Sequence, residues 1–185
     1  MSDLKQAIKQ NYIKCAKEPS YFINQYCTIQ HPQRGKIKFK LYPFQYDVLE
    51  EYQNNDYNVI LKSRQLGIST LSAAYSLWMM LFQNDKNILC IATTKDTAKN
   101  LVTKVRIMYE GLPVWLKTAI VENNKLSLVF KNGSQIKAIA SNESAGRSEA
   151  LSLLILDEAA FIEKIDTIWT AAQQTLATGG KCLAI

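Results

Sequence analysis

Residues 58–70 read NVILKSRQLGIST, and this stretch decides how the rest of the chain is interpreted. A short apolar run, residues 59–61, stops at Lys62, and a polar turn ending in Gly67 leads into a long amphipathic segment. The order strand, loop, helix suits a phosphate-binding loop, because loop amides and a helix N-terminus together offer a partly positive cradle to an anion. The candidate phosphate-contacting residues are Lys62, Ser63, Arg64, Gln65, Leu66, Gly67, Ile68, Ser69 and Thr70.

The loop departs from the usual phosphate-loop pattern, G-x-x-x-x-G-K-[ST], at two positions. Aligning the second glycine with Gly67 puts Ser69 on the hydroxyl position that ligates Mg²⁺. In the same alignment, Lys62 occupies the position of the first glycine and Ile68 occupies the position of the phosphate-binding lysine. On the loop alone, an ordinary strand-to-helix turn that uses a glycine is the better interpretation, so a second element has to decide.

That second element is residues 153–162, which read LLILDEAAFI. Four aliphatic residues in succession, bounded by an acidic pair, are typical of a central strand of a parallel sheet that is buried on both faces. Asp157 and Glu158 then lie at the carboxyl end of the strand, where open α/β sheets bind their ligands. Phosphoryl transfer needs a metal holder and a water positioner, and the two acids suit these roles in that order. The simpler alternative is that the pair only ends a strand or begins a helix. Together with the loop, however, it favours a nucleotidase.

Composition agrees with an ordinary globular protein. The chain has 185 residues, enough for one domain with a sizeable core, and is 48% hydrophobic and 21% charged. A formal net charge of +6 is compatible with an acidic partner such as nucleic acid. The four cysteines show no C-x-x-C spacing, and a single histidine excludes a histidine cluster, so we expect reduced thiols in an intracellular protein and no zinc site.

The sequence also predicts no membrane association. The most apolar helix candidate, residues 71–82, is too short to span a bilayer, and the N-terminus lacks a signal-peptide core. We therefore expect a soluble, cytosolic protein.

Three further segments carry polar residues whose roles the sequence leaves open. Residues 31–40 alternate basic and apolar side chains, which favours a solvated edge strand over a contact with DNA phosphate. Lys99, Lys104 and Arg106 form a basic set on a predicted helix, where a solvated face is expected. Arg147 is the only cation of a polar segment that leads into the acidic strand, and it is as compatible with a solvated surface as with a phosphate contact.

Taken together, these motifs resemble the ATPase domain of the large terminase subunit of tailed bacteriophages, the motor that packages DNA. The resemblance runs from about residue 42 to residue 185. It rests on LYPFQ with Gln45, SRQLGIST at the loop, the Asn-Gly-Ser hairpin, the Arg147 segment, LLILDEAAFI and IWTAAQQTLATGGK. It implies a three-layer α/β P-loop NTPase whose mainly parallel central sheet is flanked by helices and has the additional-strand order of RecA and helicases. The implied domains are a helical and basic lead-in, residues 1–40, and an ATPase core, residues 41–185.

The resemblance also implies roles for particular residues. Gln45 matches the adenine-contacting glutamine, and Arg64 matches an arginine that senses or stabilises the γ-phosphate. Asp157, with Ser69, matches the Mg²⁺ site, and Glu158 matches the catalytic glutamate. Arg147 lies where an arginine finger acting on a neighbouring subunit is expected.

Ile68 departs from the many relatives that have lysine there. Some terminases carry the lysine at the front of the loop, so Lys62 is expected to be the phosphate lysine. The implied ligands are ATP and Mg²⁺.

The family's setting gives the remaining expectations. The implied partners are double-stranded DNA, the portal protein, the small terminase subunit and further copies of the chain in a homo-oligomeric ring, with a monomer expected in isolation. The expected location is the host-cell cytoplasm and not the mature virion. Because the chain ends in a predicted strand, before the coupling motif and nuclease domain of the family, we expect a piece of a longer protein with weak hydrolysis by itself.

Two other functional classes stay open at the level of sequence. A helicase-like ATPase that acts on nucleic acid shares the glutamine, the phosphate loop and the acidic pair. A nucleotide- or DNA-binding module without hydrolysis is compatible with Ile68 and with the point at which the chain ends.

Overall fold

A seven-stranded sheet forms the centre of the structure, a computed structural model that describes residues 2–141 and 150–185. Within these ranges the strands are β1 (Thr28–His31), β2 (Gly35–Lys38), β3 (Tyr57–Val59), β4 (Asn87–Ala92), β5 (Ile120–Asn123), β6 (Ser127–Phe130), β7 (Gln135–Ala140), β8 (Leu153–Asp157) and β9 (Lys181–Ala184). The central sheet has the order β3-β9-β8-β4-β7-β6-β5, while β1 and β2 form a separate antiparallel hairpin.

The sheet is mainly parallel. Strands β3, β9, β8, β4 and β7 run in one direction, and only β6 and β5 are antiparallel to their neighbours. Every residue of β8 is buried, as its continuous apolar run predicts for a strand covered on both faces. Strand β9 lies between β3, which leads into the loop, and β8, which carries the acidic pair. Insertion of β9 between these two strands gives the additional-strand order that the resemblance implied. The predicted fold class is confirmed.

Helices cover both faces of the sheet. They are α1 (Ser2–Lys17), α2 (Pro19–Tyr26), α3 (Pro43–Asn54), α4 (Ile68–Phe82), α5 (Lys95–Glu110) and α6 (Ile165–Leu176), with short 3₁₀ turns at Val114–Leu116 and Ala159–Phe161. One face of β4 and β8 packs against α4 and α5 in the larger apolar cluster, whereas the other packs against α6. None of the described helices combines the length and apolar character needed to cross a membrane.

The predicted Asn-Gly hairpin is confirmed between β6 and β7. Gly133 adopts a left-handed backbone with φ of 81°, which an Asn-Gly turn supplies without the penalty of a Cβ atom. The side chain of Asn132 donates to the carbonyls of Met80 at 2.8 Å and Gln83 at 3.1 Å. The turn is therefore fastened to the carboxyl end of α4.

The first forty residues share the core of the rest of the chain. Pro19 begins α2, as its restriction to the first turn of a helix predicts. Phe22 and Ile23 are fully buried in the larger cluster, and Trp78 of α4 donates its indole N–H to the Cys15 carbonyl at 2.8 Å. The hairpin β1–β2 packs against α5. This packing brings the lead-in close to the residues of the loop.

All four cysteines are free and buried, in agreement with the expected reduced thiols. Burial raises the pKa of the Cys15 thiol to about 11 and that of Cys182 to about 12. It raises the pKa values of Cys27 and Cys90 further. The thiolate is the reactive form of cysteine, so these side chains are inert packing groups at neutral pH.

Candidate functional site

The loop between β3 and α4 has the backbone of an anion cradle. Gln65 and Gly67 have positive φ angles of 66° and 73°, so the chain turns sharply before α4 begins. Gly67 is the N-cap of α4, and its carbonyl accepts the Leu71 N–H at 2.9 Å. The first amides of α4 lie beyond this turn without intrahelical acceptors, and they are the donors that bind anions at helix N-termini. The predicted order of strand, loop and helix is confirmed, but the strand is Tyr57–Val59 and contains only the first residue of the apolar run 59–61.

The cations of this loop lie at its front. Ile68 is 2% exposed and belongs to the larger apolar cluster, so position 68 contributes packing and no charge. Lys62 is half-buried just after β3, and Arg64 is exposed at the turn. Positive charge in the loop thus comes from its first three residues, which is where the displaced lysine was expected.

The loop is joined to the acidic strand by one hydrogen bond. Ser69 donates its hydroxyl to Oδ1 of Asp157 at 2.8 Å, although 88 residues separate the two in sequence. Asp157 is the last residue of β8 and is 6% exposed. A buried carboxylate needs such a donor, because its charge is costly to remove from water without a partner. The two predicted metal ligands are therefore adjacent.

Glu158 lies directly after the buried strand in an unusual backbone conformation. Its φ and ψ are 58° and 44°, in the left-handed region that non-glycine residues rarely adopt. The following N–H, of Ala159, is held by the Ile185 carbonyl at 2.8 Å, and the Glu158 carbonyl accepts the Phe161 N–H at 2.9 Å. The side chain itself is exposed. The fold thus fixes the backbone of an acid that projects beyond the sheet edge, next to the buried carboxylate.

The donor set suits Mg²⁺ bound together with a phosphate ligand. Residues 2–141 and 150–185 contain no cluster of three or more histidine, cysteine or acidic side chains that could hold a metal alone. Ser69 and Asp157 supply one hydroxyl and one carboxylate. Mg²⁺ commonly takes one or two protein oxygens, with substrate phosphates and waters completing its octahedron. The residues present fit a metal that binds with its nucleotide.

Gln45 fastens helix α3 to the loop. It is fully buried, its Oε1 accepts the Tyr42 N–H at 3.1 Å, and its Nε2 donates to the Leu66 carbonyl at 3.0 Å. Each half of the amide keeps one further donor or acceptor position. Contact with an adenine edge stays a prediction for Gln45. What the structure adds is a structural bond between α3 and the residue before Gly67.

Sequence reasoning missed the part played by the β1–β2 hairpin. A cavity of about 600 Å³ lies between this hairpin and the loop, a size typical of small-molecule sites. Its lining combines apolar side chains with basic ones and with loop residues: Ile29, His31, Arg34, Ile37, Lys38, Phe39, Lys40, Leu41, Tyr42, Gln45, Gln65, Gly67 and Thr70. The alternation of charged and apolar residues in β2 was visible in the sequence. The sequence did not show that the apolar face of β2 lines a cavity, because the position of the hairpin depends on how it packs against distant residues.

The sequence predicted a solvated position for Lys104, and the structure differs. Lys104 is half-buried on α5, and burial lowers the pKa of its ammonium group, while the nearby charge of Asp157 opposes that change. Arg106, in contrast, donates to the side chain of Asn123 at 2.7 Å at the exposed surface. Arg147 lies outside the described residues, so its predicted role stays a prediction.

The fold and the site together define the P-loop NTPase class, in its additional-strand form. The sequence profile of the family described as "Terminase large subunit, T4likevirus-type, N-terminal" matches residues 59–182, which is more than half of the chain. The chain belongs to this family of large terminase subunits, and the resemblance noted from the motifs is confirmed. Membership favours the DNA-packaging class over the helicase class.

Solved structures share the fold. The large terminase of bacteriophage HK97 superposes with a TM-score of 0.69 at 21% identity, covering 91% of this chain and 36% of that protein. The ATPase domain of the large terminase of Thermus phage P74-26 superposes with a TM-score of 0.60 at 22% identity, over 80% of this chain and 64% of that one. A large terminase of a thermophilic bacteriophage, solved with ADP, gives 0.59 at 16% identity, over 79% and 38% of the two chains. The present chain therefore spans about a third of the HK97 protein.

Replacement of Gln45 by glutamate tests the bond between α3 and the loop. The variant keeps the acceptor for Tyr42 but sets an oxygen against the Leu66 carbonyl, so we expect a loss of about 1–3 kcal/mol in the free energy of unfolding at pH 8. Burial raises the pKa of such a carboxyl, and its protonated form can donate, so part of the loss is regained as the pH falls. Urea denaturation at several pH values measures both effects.

Gln53→Glu on the same helix is the matched control. Gln53 is exposed, and its side chain donates to the Leu49 carbonyl within the same helix, so its change is expected to stay within about 0.5 kcal/mol. Equal losses in the two variants would show that the fold does not depend on the bond between Gln45 and the loop.

Proposed function

We propose that this chain is the ATP-hydrolysing part of a viral motor that moves double-stranded DNA into a procapsid. The observation that carries the proposal is the hydrogen bond of 2.8 Å between Ser69 and Asp157, which joins a phosphate loop to an acidic strand. Further support comes from membership in the large terminase family and from the net charge of +6, which favours an acidic partner. Two related structures, solved with ADP and with ATP-γ-S, are of a protein with the same fold.

The proposed binding mode divides the nucleotide between two parts of the site. The triphosphate lies over the loop amides and the N-terminus of α4, near Lys62 and Arg64. The base occupies the cavity beneath the β1–β2 hairpin, where Ile37 and Phe39 offer apolar surface. Gln45, which keeps one further donor and one further acceptor position beside its two structural bonds, would contact the base. Ser69 and Asp157 would hold Mg²⁺, which would supply positive charge against the phosphates.

In the proposed reaction, Glu158 orients the attacking water and accepts its proton. Its exposed side chain follows a rigid backbone, so it can reach a water at the sheet edge without reorganising β8. Lys62 and Arg64 oppose the negative charge that spreads over the transferred phosphoryl group. Bond breaking then leaves ADP and inorganic phosphate.

The proposed setting is the one that the family implies. The chain acts as part of a homo-oligomeric ring in the host-cell cytoplasm, together with the portal protein and the small terminase subunit, and is absent from the mature virion. In this setting Arg147 would act on the nucleotide of a neighbouring subunit, so we expect weak hydrolysis by an isolated chain. The lead-in, residues 1–40, belongs to the nucleotide site through its hairpin.

Paired substitutions separate nucleotide binding from hydrolysis. In Glu158→Gln we expect affinity for Mg²⁺ and ATP to stay within about threefold, while turnover falls by about 10² or more, because the water loses its base. In Lys62→Ala we expect affinity to fall by about tenfold, or 1.4 kcal/mol. Fluorescent-nucleotide titration and phosphate release measure the two quantities.

Glu163→Gln, which removes the same charge from an exposed residue nearby, controls for net charge. Unchanged turnover in Glu158→Gln would refute hydrolysis at this site. Unchanged affinity in Lys62→Ala would transfer the role of phosphate lysine to another residue.

Mixed subunits test whether Arg147 acts on a neighbour. Arg147→Ala keeps its own Glu158, and Glu158→Gln keeps its own Arg147, so a ring containing both has some sites with both groups. We expect phosphate release by the assembled motor to be higher for the equimolar mixture than for either variant alone. A mixture no more active than the mean of its components would place Arg147 in its own subunit's site or outside the reaction.

A further inference from the structure

The helix α5 brings a lysine to the edge of the proposed nucleotide site. The larger apolar cluster joins α4 and α5 to one face of β4 and β8, the face that carries Cys90 and Ile155. Side chains alternate along a strand, so Asp157 belongs to the same face as Ile155, in agreement with its bond to Ser69 of α4. Lys104 is on α5, which packs against α4. The acid, the hydroxyl and the lysine thus come from three packed elements.

Asp157 and Lys62 are among the groups that act electrostatically on the ammonium group of Lys104. Burial lowers its pKa first, the negative charge of Asp157 raises it, and the positive charge of Lys62 lowers it. The sheet order β3-β9-β8-β4 places Lys62, after β3, on one side of the acidic strand. Lys104, on the helix that follows β4, lies on the other side. The two lysines therefore flank the same carboxylate.

Lys104 holds no structural partner in the described ranges. Neither a hydrogen bond nor an ion pair of its ammonium group is found with residues 2–141 or 150–185. It lines a cavity of about 130 Å³ with Thr70, which follows Ser69 in the first turn of α4, and with Thr28, whose buried hydroxyl likewise has no partner. A half-buried ammonium group without a partner is unfavourable. Its position is thus not explained by the contacts of the described residues.

The loop has a deficit of charge that Lys104 is placed to supply. Position 68, where the usual phosphate loop has its lysine, is occupied by an isoleucine that is 2% exposed in the core. A triphosphate carries several negative charges. Sites that transfer its terminal phosphoryl group supply cations that oppose these charges. Lys62 and Arg64 supply charge only from the front of the loop.

We propose that Lys104 is a second phosphate-binding lysine, which acts with Lys62 to replace the charge absent at Ile68. The proposal rests on the proposed function, since it presupposes a nucleotide over the loop. Its contact is with the polyphosphate chain on the side of Thr70, whereas Lys62 reaches it from the front of the loop. Lys104 is therefore a binding residue supplied by the helix beside the phosphate-loop helix.

Charge substitutions at Lys104 test this role by calorimetric titration with Mg²⁺ and ATP-γ-S. Lys104→Met keeps the apolar stem and removes the charge, and we expect affinity to fall by about tenfold, or 1.4 kcal/mol. Lys104→Arg keeps the charge and is expected to bind within about threefold of the parent protein. Lys131→Met, at an exposed turn beside the opposite edge of the sheet, is the matched control and is expected to bind unchanged.

The same titrations separate a phosphate contact from a structural role. The loss in Lys104→Met should be larger for ATP-γ-S than for ADP and should shrink as salt is raised, because screening weakens charge interactions. Equal affinity in Lys104→Met and the parent, or an equal loss in Lys104→Arg, would overturn the proposal. No binding by the parent protein would instead refute the proposed function, and this inference with it.

Amine acetylation of the unmodified protein provides a test that needs no variant. Bound ATP-γ-S should slow acetylation of Lys104, as measured by mass spectrometry, and leave that of Lys131 unchanged. Protection of Lys62 without protection of Lys104 would show that the nucleotide is bound and that Lys104 does not touch it, which overturns the proposal.

Discussion

The buried carboxylate of Asp157 is the group on which the site depends. It ends a strand whose every residue is buried, so it must be stabilised by donors that other elements bring to it. Ser69 supplies one such donor at 2.8 Å, from the first turn of α4. That bond fixes the distance between the loop and the acidic strand. The loop before α4 and the acidic pair Asp157 and Glu158 consequently lie together at one edge of the sheet.

The strand order explains how these groups share one edge. Because β3, β9 and β8 are parallel, the loop after β3 and the acidic pair after β8 emerge at the same end of the sheet. The strand β9 lies between them. Its last residues also take part directly, since the Ile185 carbonyl holds the Ala159 N–H and with it the left-handed backbone of Glu158. Strain at such a position persists only when the surroundings enforce it.

The sequence predicted those parts of the site that are carried by local patterns. The loop, the acidic pair and the Asn-Gly hairpin each combine a turn signal with an apolar run, and each was found where expected. The half-buried position of Lys104 and the cavity beneath the β1–β2 hairpin were not predicted. Their places depend on how α5 and the hairpin pack against distant elements, and a charged residue on a helix has the same local pattern whether it is solvated or half-buried. Gln45 was predicted to contact the adenine edge, which stays a prediction, and its bond to the Leu66 carbonyl could not be foreseen without the fold.

The most direct test of the account compares ATP-γ-S affinity with and without Mg²⁺ in the parent protein and in Asp157→Asn. If Ser69 and Asp157 form the metal site, Mg²⁺ should tighten binding to the parent by about tenfold, or 1.4 kcal/mol, and have little effect on the variant. An equal gain from Mg²⁺ in both proteins would contradict the account, because the metal would then bind without the carboxylate that joins the loop to the sheet.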